Sequence, residues 1–288
     1  MANFASDQAE GLRRMVAGPK PRLCTFLSAA SPEDRQAMLV NLAASLARAG
    51  SDVLLFDACA GGRGIAARLD GAQGAMHAAS LLEAARGVRP LEQVTQPSGQ
   101  GFGYAALTRG AAPGPADAER LANAFERLAG VADVLLADAE LDEDGGLPLE
   151  AMGAGDIVIQ VANDAESIKS AYALVKRLNA RLGRRPFGVL VSGASEKDAQ
   201  RVYANMAKAA SRYLAVELHS VGSVPADEHV RRASRLDRPV VDAFPMAAAS
   251  VAFRRLAEHF ALPGGFPDLT DTRRTAVASG LRGSLSHV

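Results

Sequence analysis

The chain has no tryptophan, few aromatics, two cysteines and no net charge, and each shortage excludes something. Two cysteines, Cys24 and Cys59, cannot build a disulfide framework; they read as small buried fillers in a protein of the reducing cytoplasm. Lysine plus arginine equals aspartate plus glutamate at 32 each, so no one-signed surface points to nucleic acid. No apolar run is long enough for a membrane span, and the polar N-terminus lacks the core of a signal peptide. The five histidines, His77, His219, His229, His259 and His287, stand at no ligand spacing with cysteines or acids, so no metal site is expected. The most telling absence is local. Residues 28–43 contain neither glycine nor lysine, and no lysine occurs anywhere between Lys20 and Lys169.

That stretch sits where a phosphate-binding loop belongs. An apolar run at Leu23–Leu27 reads as a buried strand, Leu39–Arg48 as an amphipathic helix, and Val53–Phe56 as a second strand ending on Asp57. Strand, loop, helix, strand and acid form the opening βαβ unit of a nucleotide-binding fold. Further strand-like runs lie near Gly103–Leu107, Asp133–Ala137, Asp156–Val161, Phe187–Val191 and Val221–Val224. Helical patterns lie near His77–Arg86, Pro115–Gly130, Ala165–Leu182, Glu196–Leu214 and Met246–Phe260. The alternation predicts a doubly wound, mostly parallel α/β sheet with helices on both faces. Its expected bounds are 22–262, after an N-terminal segment 1–21 and before a polar tail 263–288.

The loop is ill suited to polyphosphate. Glycine lets backbone N–H groups close around phosphates, whereas Pro32 has no N–H to offer. Glu33 and Asp34 would set carboxylates beside the anion, a repulsion of roughly 4 kcal/mol at ~4 Å and an effective dielectric of ~20. The same residues make a good helix start: Ser31 as N-cap, Pro32 at the first helical position, two acids in the first turn.

The order and spacing of these pieces resemble the MinD/ParA family of deviant P-loop ATPases. Val40-Asn41-Leu42-Ala43 and Phe56-Asp57-Ala58 fall at the family spacing, and Asp133–Asp138 is similar to the strand ending in the family's magnesium-associated aspartate. Ala162–Lys176, Val221–Asp227 and Arg238-Pro239 continue the likeness to about residue 260. In this register Ala30 and Arg35 stand for the family's two lysines, and Gln36 for its magnesium-holding threonine. Asp57-Ala58-Cys59 lacks the second carboxylate of the family's Asp-x-Asp, and Ser192 replaces an adenine-contacting asparagine. The resemblance therefore implies a remnant nucleotide site at Arg35, Gln36, Asp57 and Asp138, with no catalytic residue and no cofactor. ATP and magnesium belong only to the alternative, an active MinD-type ATPase switching between monomer and ATP-bound dimer at the membrane.

The first residues narrow the resemblance. Asp7-Gln8-Ala9-Glu10-Gly11-Leu12-Arg13 is similar to the N-terminal motif of the FlhG/FleN flagellar-number regulators within that family. The resemblance implies a docking helix for FlhF, an SRP-type GTPase, with Asp7, Gln8, Ala9, Leu12 and Arg13 as partner-binding residues. Ala9, Leu12, Met15 and Val16 share one face, and Asp7 with Glu10 can cap the start. About three turns is too short to be stable alone, so it would order on a partner. Flagellar switch proteins or a flagellar transcription regulator are further implied partners. The tail can form only a weak interfacial face, from Val277, Leu281 and Leu285. Weak or no membrane binding is expected, with a cytoplasmic location that extends at most to the inner membrane or cell pole.

Overall fold

A computed structural model describes residues 21–59, 64–74 and 78–262. Among these, eight strands form one sheet: β1 Arg22–Ser28, β2 Val53–Asp57, β3 Gln96–Pro97, β4 Gly103–Ala106, β5 Val134–Ala139, β6 Asp156–Ala162, β7 Phe187–Ser192 and β8 Leu218–Val224. Their order is β3-β4-β2-β5-β1-β6-β7-β8, and every pairing is parallel except β3 with β4. Pro97 sits in that short antiparallel edge strand, where a missing N–H does least harm.

The described residues also form nine α-helices. They are α1 Pro32–Arg48, α2 Ile65–Gly74, α3 Leu81–Ala85, α4 Ala118–Ala129, α5 Ala165–Leu182, α6 Glu196–Leu214, α7 Glu228–Arg235, α8 Val240–Ala243 and α9 Ala248–Ala261. Strand side chains alternate between two cores. Leu27, Leu135 and Ile159 face the layer holding α3 to α6, while Phe26, Leu136 and Val158 face the layer of α1, α2 and α7 to α9. Both faces of the sheet are covered, which is why its strands read as continuous apolar runs rather than alternating ones.

The doubly wound α/β sheet expected from the sequence is the observed fold. Details differ. The helix expected from His77 begins at Leu81, where Ser80 and Glu83 form a reciprocal cap, and His77 lies outside the described residues. β8 starts three residues earlier than expected, at Leu218, in regular pairing with Phe187 to Val189, and a register shift opposite Val189 and Leu190 carries it on through Gly222. Gly222 has φ +133°, and a Cβ there would meet Leu256 Cδ2 at 2.9 Å, so only glycine fits. The segments expected to flank the domain, 1–21 and 263–288, lie outside the described residues apart from Pro21. Among the described residues no helix is long and apolar enough to cross a membrane.

At the amino-terminal end of the sheet, Arg22 opens β1 and holds several elements together. Its guanidinium meets Asp156 Oδ2 at 3.0 and 3.1 Å and donates to the carbonyls of His259 at 2.8 Å and Leu262 at 2.9 Å. The other end of the sheet carries the crevice.

Candidate functional site

Parallel strands place their carboxyl ends together, and a crevice opens there where the strand order reverses. β1, β2 and β5 end at this point on Ser28, Asp57 and Ala139. A cleft of about 570 Å³ lies above them, lined by Pro32, Arg35, Gln36, Gly64, Ala67, Arg68 and Glu140.

The loop from β1 into α1 satisfies itself. Ser31 is the N-cap, in extended backbone, and its Oγ accepts from Asp34 N at 3.1 Å and donates to Asp34 Oδ2 at 2.9 Å. Ser28 Oγ accepts from Ala30 N at 3.1 Å and donates to Gln160 Oε1 at 3.2 Å. Gln160 is buried on β6, and its Nε2 reaches Ser192 Oγ at 3.3 Å and Asp34 O at 3.4 Å. The helix end that would meet a phosphate in a P-loop thus has its own cap and its own acids, which complement the helix dipole.

Arg35 lies one turn into α1, buried, with its guanidinium across the mouth of β5. Nη1 donates to Glu140 Oε1 at 2.7 Å, and Nε lies 3.6 Å from Asp138 Oδ1. Asp138 is fully buried, and among the described residues neither carboxylate oxygen has a hydrogen-bond partner. Burial pushes its pKa up to about 7, Arg35 opposing the rise and Asp57 adding to it. Arg35 is itself held more firmly protonated: Asp138, Cys59 and Glu140 outweigh the cost of burial.

Asp57 ends β2 and ties down the chain beyond it. Its Oδ1 accepts from Cys59 N at 3.0 Å and its Oδ2 from Ala66 N at 2.8 Å, in the first turn of α2. Burial still leaves its pKa raised despite those two N–H groups. Gly64 makes the arrangement possible, since a Cβ there would lie 1.9 Å from Asp57 Oδ1. Cys59 Sγ faces Asp138 O at 3.7 Å, and burial raises its thiol pKa strongly. Cys24 and Cys59 are both buried, and neither forms a disulfide.

The structure thus gathers Arg35, Asp57 and Asp138 into one buried cluster with Gln36 lining the cleft beside them. The five N-terminal residues Asp7, Gln8, Ala9, Leu12 and Arg13 lie outside the described residues. Sequence reasoning did not find the partnership of Glu140 with Arg35, the contact of Gly64 with Asp57, or the tie from Gln160. Their sequence separations explain this: Arg35 and Glu140 are 105 residues apart, and Gln160 and Asp34 are 126 apart.

No family model matches the chain. Its fold matches solved structures closely. The MinD cell division protein of Aquifex aeolicus is similar with a TM-score of 0.62 and 19% identity, covering 82% of this chain and 95% of that one. The Pyrococcus furiosus cell division ATPase MinD gives 0.60 and 16%, covering 82% and 97%. Sheet order, crevice and these matches define a protein with the MinD/ParA-type P-loop NTPase fold. Antiactivator FleN of Pseudomonas aeruginosa is 31% identical over 224 residues, which span 76% of this chain and 79% of that protein. The chain belongs to the FleN/FlhG family of flagellar-number regulators.

Proposed function

We propose that this chain is a non-catalytic MinD-fold regulator that sets flagellar number or placement through protein contacts. In this reading residues 7–13 dock on an SRP-type GTPase of the FlhF kind and stimulate it. The single observation that carries the non-catalytic part is the Arg35–Asp138–Glu140 cluster. A cation that would otherwise face phosphate is engaged by the protein's own carboxylates. A magnesium triphosphate needs backbone N–H groups, a lysine and a hydroxyl here; the chain has a capped helix end, Pro32, two acids and Gln36. The name antiactivator borne by its relative supports a transcription activator as a second partner, and switch-complex proteins are a third class.

The cleft of about 570 Å³ favours the alternative, an ATP-dependent monomer–dimer switch. One paired experiment separates the two. Fluorescent ATP with magnesium is titrated against the full chain, and GTP turnover by the partner GTPase is measured with the full chain and with residues 1–17 deleted. The proposal expects no saturable ATP binding, GTP turnover stimulated by the full chain, and stimulation lost on truncation. Leu12→Asp should act like the truncation, because it puts a charge into a desolvated apolar contact. Micromolar ATP binding would restore the ATPase reading, and undiminished stimulation by the truncated chain would move the contact to the folded domain.

A further inference from the structure

Beneath the cleft, three acid-bearing side chains from two strand ends converge. Donor atoms of Asp57, Cys59 and Asp138 all lie within 4.8 Å of one another, and all three residues are buried. Carboxylates gather on many protein surfaces without consequence, but two things set this group apart. Asp138 is fully buried, and among the described residues neither of its oxygens has a hydrogen-bond partner, which leaves a buried polar group unsatisfied. The third member is a thiol.

Charge counting says what would satisfy the group. With all three ionised there are three negative charges against one positive, that of Arg35, whose Nε is 3.6 Å from Asp138. Glu140 adds little, because it is half exposed and shares the far end of the same guanidinium. The excess is neutralised by two protons, on Cys59 and Asp138, or by one divalent cation. We propose that Asp57, Cys59 and Asp138 bind one divalent transition-metal ion of the zinc or cobalt class, entering from the cleft.

The thiolate decides the class. Magnesium prefers hard oxygen donors and resists dehydration, whereas a sulfur and two carboxylates suit zinc or cobalt. Donor atoms around one tetrahedral zinc sit about 3.5 Å apart, given Zn–S of about 2.3 Å and Zn–O of about 2.0–2.2 Å. Side-chain rotations that draw the three groups in by about an ångström therefore suffice. Asp57 keeps its two N–H bonds on its remaining lone pairs, and cleft water supplies a fourth ligand. As the metal–sulfur bond forms, the Cys59 proton leaves for solvent, with that of Asp138 when it carries one; no electron is transferred. The inference stands apart from the GTPase reading, because it concerns no nucleotide and no partner.

The test uses the full chain, stripped with chelator and titrated with Co²⁺ in the absence of nucleotide. A thiolate-to-cobalt charge-transfer band should saturate at one ion per chain and vanish on adding Zn²⁺. Zn²⁺ should raise the melting temperature, and Mg²⁺ should not. Cys59→Ser should remove the band, Asp138→Asn should weaken Co²⁺ binding by about tenfold or more, and Cys24→Ala should leave both unchanged. Absence of the band in the wild-type chain overturns the site, whether or not any variant folds. So does a band that survives Cys59→Ser, or an equal thermal shift from Mg²⁺.

Discussion

At the residue scale, Asp138 and Gly64 carry the clearest consequences. The pKa of Asp138 is about 7 in the folded chain and about 3.9 when unfolded. Between those values the folded state holds a proton that the unfolded state releases. Its contribution to stability is therefore fully present below about pH 4 and is lost as pH rises to about 7, at up to about 1.4 kcal/mol per unit. Asp138→Asn has no such slope. Measured by denaturant unfolding in chelator, the variant should gain on the wild type from about pH 4 to pH 7 and then level off; a constant difference across that range would show that Asp138 ionises normally. Gly64→Ala tests the opposite side of the cluster. The new Cβ would displace the Asp57 carboxylate from Cys59 N and Ala66 N, a loss of about 2–4 kcal/mol visible as a lower denaturant midpoint. An unchanged midpoint would mean that Asp57 does not hold the start of α2.

At the element scale, α1 is pinned to α8 by one buried side chain. Asn41 Nδ2 donates to Ala37 O at 2.7 Å, and its Oδ1 accepts from Val240 N at 2.6 Å. Asn41→Leu keeps the volume but orphans that N–H in the core, so stability should fall by about 1–3 kcal/mol with no effect on GTPase stimulation. Hydrogen exchange at Val240 gives a direct readout, and protection that persists would refute the assignment. Elements were legible in the sequence wherever their signal was local. Buried strands such as Val53–Asp57 show as apolar runs, and the α1 start is announced by Ser31, Pro32, Glu33 and Asp34 in succession. α7 gave no such signal, since Val230 and Ala233 are its main apolar members among charged residues, and α8 has only four residues. The site was half legible. Motif spacing located Arg35, Asp57 and Asp138, but which group each meets depends on strand register and on chain segments a hundred residues away.

At the scale of the whole molecule, the proposed function makes the oligomeric state independent of nucleotide. Sedimentation of the full chain should give the same mass with no nucleotide, with ADP or with ATP and magnesium; an ATP-dependent shift would favour the switching ATPase. Melting temperature should likewise be unmoved by any of these, because a ligand stabilises only in proportion to its binding.

The Arg22 contacts bear on how the chain leaves the domain. The guanidinium of the first strand residue touches the carbonyl of Leu262, the last described residue. Both points lie at the end of β1 remote from the crevice, about 20 Å away over six residue steps of about 3.3 Å. The folded body is therefore nearly a closed ring, with its first and last described elements meeting beside Arg22. A circular permutant that joins Leu262 to Pro21 by a short glycine linker and opens the chain at the exposed turn near Gly110 should therefore fold.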